Sequence, residues 1–370
     1  MSGFKYHFEQ RLGWMNDPNG CVYFKGRWHI FFQYREEGRN TTTWWGHAVS
    51  DDLIEWEELP PALKHDPDSL YESFGCWSGS SIVKDGRLYL FYTSVGEGES
   101  QSISLAYTDD GVNFTKHSAN PIIPCPDFVY NFNFRDPKVF LYGGKYYMLL
   151  GTEFDGFGRI LCYTSDDLVS WSYESEFYRS DKYEPYPSMT LECPDFFPLG
   201  DRWVLKFSSQ YHRKEIFVVG RFDGVSFTPE SSEILIDGGE HLYATQTFAG
   251  VTDRTVMLGW MWSWEKPATP GYEVRTGTMC IPREVWLENG KVYNFPVAEA
   301  RRMLKSESDF VSIDGTTVTV IGRNGAPMLV SDMSECNGVS EIRRVDILED
   351  GDAVEIFLNG GEASLTEWLI

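Results

Sequence analysis

Five times along the chain a basic residue is followed by a short apolar run rich in β-branched and aromatic side chains. The runs are Arg27-Trp28-His29-Ile30-Phe31-Phe32, Arg87-Leu88-Tyr89-Leu90-Phe91, Lys145-Tyr146-Tyr147-Met148-Leu149, Arg202-Trp203-Val204-Leu205-Lys206-Phe207 and Arg254-Thr255-Val256-Met257-Leu258, and their leading residues stand 60, 58, 57 and 52 positions apart. Behind each of the first four comes an acidic turn that closes on an aromatic: Asp51 to Trp56, Asp109 to Phe114, Asp166 to Trp171 and Asp223 to Phe227. Two independent signals with one period mean a tandem unit, and the strand-forming bias with short Gly/Asp turns makes that unit a small antiparallel sheet. The chain is therefore expected to be all-β, with five such sheets arranged radially as a five-bladed β-propeller. The acidic turns are hairpin corners, useful because they fix the phase of the repeat.

In a propeller the first strand of each blade lines the central channel, so residues about ten before each basic marker are expected to converge on the axis. Those positions hold Asp17, Trp77 with Ser78 beside it, Asp136, Glu192 and Gln246. Asp17 lies within Trp14-Met15-Asn16-Asp17-Pro18-Asn19-Gly20, which by itself is ordinary turn chemistry. Recurrence of acids at one phase changes its meaning, because three like charges brought together are costly unless chemistry requires them. Two carboxylates with separated pKa values can serve as nucleophile and general acid on a glycosidic bond, while a third holds sugar hydroxyls. No metal site or cofactor is expected, since histidines are absent from the inner positions and a cation would find carboxylates alone.

Charge narrows the partners. Lysine and arginine number 32 against 55 aspartate and glutamate, for a net charge of -23, which repels nucleic acid and anionic lipid and favours a neutral ligand. Aromatic residues make up 16% of the chain. They suit stacking on sugar faces, so a small carbohydrate is the expected partner. The N-terminal stretch has no apolar signal segment and no run approaches the ~18 residues of a membrane span, from which a cytoplasmic location is expected. Seven scattered cysteines without a C-x-x-C pair read as thiols of a reducing compartment rather than disulfides or a zinc site.

The same residues carry a family resemblance. Trp14 to Gly20, Phe32-Gln33-Tyr34, Trp45-Gly46-His47-Ala48-Val49-Ser50, Trp77-Ser78-Gly79-Ser80, Arg135-Asp136-Pro137, Glu192-Cys193-Pro194 and Pro282-Arg283-Glu284 together resemble the motifs of glycoside hydrolase family 32, over roughly residues 5 to 300. That family comprises invertases, levanases, inulinases and sucrose-6-phosphate hydrolases. The resemblance implies a propeller followed by a β-sandwich, and retaining hydrolysis of β-fructofuranosides such as sucrose, sucrose 6-phosphate or short fructo-oligosaccharides. Carried across, Asp17 resembles the nucleophile that forms a fructosyl-enzyme ester, Glu192 the general acid/base and Asp136 the transition-state stabiliser. The implied binding set is Trp14, Asn16, Gln33, Trp45, Trp77, Ser78, Arg135, Tyr243 and Gln246. Arg135 beside Asp136 is expected to help keep that acid ionised.

Three departures from the family pattern stand out. Gly239-Glu240-His241-Leu242-Tyr243-Ala244 carries His241 where many relatives have an acid, so His241 is either a leaving-group contact or a surface loop residue. Trp77 occupies a rim position usually held by Phe. The tail is short: a propeller over 1–297 and a helical linker over 298–304 leave a truncated β-sandwich-like domain over 305–370, too small to stand alone and expected to pack on the propeller or on a second subunit. Three rival readings share much of this pattern: an inverting furanosidase of the arabinanase type, a fructosyltransferase with the same intermediate, and a silent sugar-binding propeller. Retention of all three acids argues against the last.

Overall fold

The computed structural model describes residues 3–36, 42–180, 190–261 and 275–369. The chain is all-β, its only helical pieces among the described residues being short 3₁₀ turns. Seven sheets of three to five strands are formed there. No described helix is long and apolar enough to cross a membrane.

Five of the sheets follow one another up to residue 296, opening with the strands Gly13–Phe24, Gly75–Lys84, Phe134–Tyr142, Leu191–Leu199 and Leu242–Thr247. In the first four, each opening strand turns back directly into the strand begun by a basic marker: Arg27–Arg35, Arg87–Val95, Lys145–Phe154 and Arg202–Ser209. Asp85 and Gly86 show why the corners are tight, since both have positive φ, 52° and 78°. That is the primed-turn geometry whose twist matches paired strands. The markers pair with the acidic turns, Arg27 Nε reaching Asp51 at 2.8 Å and Arg87 Nε reaching Asp109 at 2.7 Å. Asp52 Oδ1 in turn accepts from the N–H groups of Ile54 and Glu55, at 2.9 and 2.8 Å, so the repeated acids hold corners.

Every opening strand packs against the next, and Leu242–Thr247 packs back against Gly13–Phe24, closing a ring. Polar groups stitch that ring. Val139 N–H donates to Ser80 Oγ (3.0 Å), Thr247 N–H to Asp195 (2.6 Å) and Cys21 N–H to Gln246 Oε1 (3.0 Å). Buried Lys138 pairs with Asp195 at 2.7 Å and buried Lys206 with Glu215 at 2.9 Å, which is how charges persist in a buried centre.

After a 3₁₀ segment at Ala298–Met303 come two three-stranded sheets, Val311–Asp314, Thr317–Ile321 and Pro327–Asp332, then Val345–Asp350, Ala353–Leu358 and Ala363–Trp368. They share an apolar core that includes Val318, Ile347, Ile356 and Leu365. The second of them docks on the five-sheet body through buried ions. Arg283, fully enclosed, donates to Asp237 (3.2 Å), Ser364 (2.9 Å) and Glu355 (3.2 Å from Nε), while His7 lies between Asp350 (2.9 Å) and Glu355 (2.8 Å). The Arg283 motif thus fastens the C-terminal segment to the five-sheet body.

Candidate active site

Each opening strand breaks register with its neighbour at the same phase of the repeat: between Met15 and Pro18, Trp77 and Gly79, Arg135 and Lys138, Glu192 and Asp195, and Tyr243 and Gln246. A bulge re-aims the side chains beside it. At three of them a non-glycine residue adopts the left-handed region, Asp136 (φ 62°), Cys193 (φ 47°) and Ala244 (φ 54°). Such backbone costs on the order of 1–3 kcal/mol each and persists only where surrounding structure enforces it. Lys206 supplies part of that enforcement, donating to the carbonyls of Cys193 (3.1 Å) and Thr245 (2.5 Å).

The bulges bring Asp17, Asp136 and Glu192 to one cavity of about 500 Å³, lined also by Asn16, Gln33, Trp77, Ser78, Arg135 and Tyr243. Asp17 accepts from Asn16 Nδ2 at 3.1 Å and Ser78 Oγ at 2.7 Å, with Cys193 Sγ 3.7 Å away. Burial pushes the Cys193 thiol well up, so it stays protonated and donates. Glu192 is held from both sides, by Arg135 Nη2 at 3.1 Å and by the Tyr243 hydroxyl at 2.5 Å. Burial, then the neighbouring Glu192 charge, raises the Tyr243 pKa and keeps that hydroxyl a donor.

Asp136 is buried, and Cys193 N–H donates to it at 2.8 Å. Burial drives its pKa up to about 7; the Arg135 charge works the other way but does not prevail. Arg135 therefore has the sign expected from the sequence while desolvation wins. The result is a buried acid poised between its two forms near neutral pH, beside two further carboxyl groups, a feature of sites where bonds to oxygen are made and broken.

Not all expected residues face the cavity. Trp45 is fully buried and donates its indole N–H to the Trp77 carbonyl (2.9 Å), bracing the strand behind the wall. Trp14 is likewise buried, donating to Asn16 Oδ1 at 3.0 Å and meeting Trp260 edge-on, so it orients Asn16 from behind. Gln246 bridges the ring, its amide bound to Cys21 N–H (3.0 Å) and the Gly79 carbonyl (2.9 Å). His241 pairs with Glu367 and meets Trp368 edge-on, facing the C-terminal segment and lying outside the cavity wall. Sequence reasoning missed Arg35, Glu99, Gln101, Phe132, Asn133, Gln210 and Trp260, all in the wall. Arg35 directly follows Phe32-Gln33-Tyr34 and was within reach, as were Trp260, six residues after Arg254 as Gln33 is six after Arg27, and Gln210, eight after Arg202 as Arg35 is eight after Arg27; Glu99, Gln101, Phe132 and Asn133 enter from outside the basic-marker runs.

A fold and site of this kind define a carbohydrate-active enzyme family. Residues 7–296 match the glycosyl hydrolases family 32 N-terminal domain, and the chain belongs to that family. It is 34% identical over 319 residues to the sucrose-6-phosphate hydrolase of Escherichia coli, covering 80% of this chain and 65% of that protein. Against the levanase of Bacillus subtilis the identity is 37%, covering 80% and 47%. The chain thus spans just under two thirds of the first of these curated relatives and just under half of the second. Among solved structures, a Bombyx mori family 32 β-fructofuranosidase mutant in complex with sucrose superposes with a TM-score of 0.82 at 26% identity, covering 99% of this chain and 89% of that one.

Proposed function

We propose that this protein is a retaining β-fructofuranosidase whose five-sheet body is a five-bladed propeller and whose last two sheets are a reduced sandwich. Convergence of Asp17, Asp136 and Glu192 on one cavity carries the reading. Asp17, oriented by Asn16, Ser78 and Cys193, attacks the anomeric carbon of the fructosyl unit as Glu192 gives its proton to the departing glycosidic oxygen. The C–O bond to the leaving sugar breaks, and an ester joins fructose to Asp17. Water then adds at the same carbon, yielding its proton to Glu192 and releasing Asp17, so that two inversions give retention. Asp136 accepts hydrogen bonds from fructose hydroxyls that strengthen as positive charge develops on the ring.

The relatives' names point to sucrose, sucrose 6-phosphate and fructans as substrates to test. Incubation of the purified protein with sucrose, sucrose 6-phosphate and 1-kestose, followed by quantification of free fructose, checks the reading. Fructose release from at least one is expected; release from none contradicts it.

A further inference from the structure

The clamp on Glu192 has a support of its own. Arg135 Nε and Nη2 both donate to Glu192 Oε1, at 3.3 and 3.1 Å, which spends one edge of the guanidinium on the acid. The third nitrogen is held elsewhere. Nη1 donates to the Phe132 carbonyl at 2.9 Å, to Gln101 Oε1 at 3.2 Å and to Asn133 Oδ1 at 3.3 Å. Because a guanidinium is a rigid plane, whatever holds Nη1 also sets where Nε and Nη2 point.

Gln101 is the acceptor that comes from another sheet. Phe132 and Asn133 lie three and two residues before Arg135, whereas Gln101 stands 34 before it, at the start of the second-sheet strand Gln101–Thr108. It is buried, and its own N–H donates to the Asn131 carbonyl at 2.7 Å. Its Oε1 accepts a further bond, from the N–H of Phe134 at 2.9 Å. A peptide N–H and a guanidinium can only donate, so the oxygen of this amide must face them and its nitrogen cannot take that place. One atom thus ties the guanidinium and the first residue of the third opening strand to the second sheet.

We propose that Gln101 is a positioning residue for the acid/base: its amide oxygen fixes Arg135, and through Arg135 the aim of Glu192 at the departing oxygen. This rests on the fructosidase reading above. A general acid must lie within hydrogen-bond reach of the atom it protonates, so a guanidinium that turns on losing an anchor takes Glu192 off that line. Tyr243 does not replace the anchor. It holds Glu192 through one hydroxyl, a single point about which the carboxylate still pivots.

The consequence is confined to leaving groups that need a proton. Sucrose must have its glycosidic oxygen protonated as it departs, whereas p-nitrophenyl β-D-fructofuranoside releases a stable phenolate without that help. Since kcat/KM covers only the steps up to formation of the ester at Asp17, the later work of Glu192 on water does not enter it.

The test is kcat/KM on both substrates for the unaltered protein, for Gln101→Met, which keeps the length and removes the acceptor, and for Gln101→Asn, which retracts the amide by one methylene. Gln101→Met is expected to lower kcat/KM for sucrose about ten- to hundredfold and for the nitrophenyl substrate about threefold at most. Gln101→Asn should repeat that difference, and it carries the test should the methionine variant fail to fold. Equal losses on the two substrates in a folded variant, or no loss on sucrose, overturn the positioning role while the fructosidase reading stands. Failure of both variants to fold makes Gln101 a structural residue and overturns the role as well. Absence of fructose from every substrate in the unaltered protein overturns that reading and the role with it.

Discussion

The backbone N–H of Cys193 donates to Oδ2 of Asp136 across 2.8 Å, linking two left-handed residues on neighbouring opening strands. The same cysteine is the peptide neighbour of Glu192, and its thiol lies 3.7 Å from Asp17. One bulged residue thus touches or adjoins all three acids, and shape at that point controls the spacing among them.

Asp136 carries a direct cost. Its folded pKa of about 7 lies above the ordinary 3.8, so the folded state prefers the neutral form. Stability is therefore expected to fall as pH rises from near 4 through about 7. Asp136→Asn keeps the acceptor for Cys193 N–H and removes the buried charge. Thermal unfolding should show a higher Tm than the unaltered protein at pH 8, with the gain gone at pH 4, while turnover is lost. An unchanged Tm at pH 8 would mean that burial does not set this pKa.

If Asp136 must be ionised to hold the fructosyl ring, kcat/KM for sucrose falls as pH drops through about 7. A pH profile from 4.5 to 8.5 checks this; a plateau extending down to pH 5 contradicts it.

The acids themselves were legible because chemistry and period coincide at Asp17, Asp136 and Glu192. Every opening strand is followed by the same kind of apolar run, and phase carried by exposed corner residues such as Asp51 survives in the sequence. The bulges were not legible. Nothing in Arg135-Asp136-Pro137 announces a φ of 62°, yet that backbone decides that Asp136 points inward. Gln246 sits at an inner position and Trp45 on the third strand of the first sheet, but their polar atoms are taken by backbone groups, a fact fixed by tertiary partners hundreds of residues away in the case of Gln246. His241 was open to two readings, and contact with Glu367 comes from a segment whose docking the sequence left between the propeller and a second subunit.

That docking is expected to be pH-sensitive at the alkaline end. Although burial opposes the charged form, Asp350 and Glu355 hold the His7 pKa up to about 9. Its contribution is fully present below pH 6.5 and is lost as pH rises through about 9. Urea midpoints should therefore drop between pH 7 and 9.5 in the unaltered protein and stay flatter in His7→Gln. Arg283→Ala leaves Asp237 buried without its cation and Glu355 with His7 as its only cationic partner among the described residues. That change is expected to cost about 3–5 kcal/mol at pH 7.

Lys206 offers a test of the bulges. Its ammonium holds the carbonyls of Cys193 and Thr245 and pairs with Glu215, all within the buried ring. Lys206→Met is expected to lower kcat at least tenfold in molecules that remain folded, since about 1 Å of misplacement at the acids costs as much as 10²-fold. Unaltered kcat in a folded Lys206→Met protein would show that the bulges hold without it.

Asp17→Asn is expected to reduce kcat by about 10³-fold or more with Tm within a few degrees of the unaltered protein. The most direct measurement follows the anomeric form of the fructose first released, by NMR during the opening seconds of sucrose or kestose hydrolysis. Two displacements at Asp17 deliver β-fructofuranose before mutarotation; initial release of the α-anomer would contradict a covalent intermediate on that carboxylate.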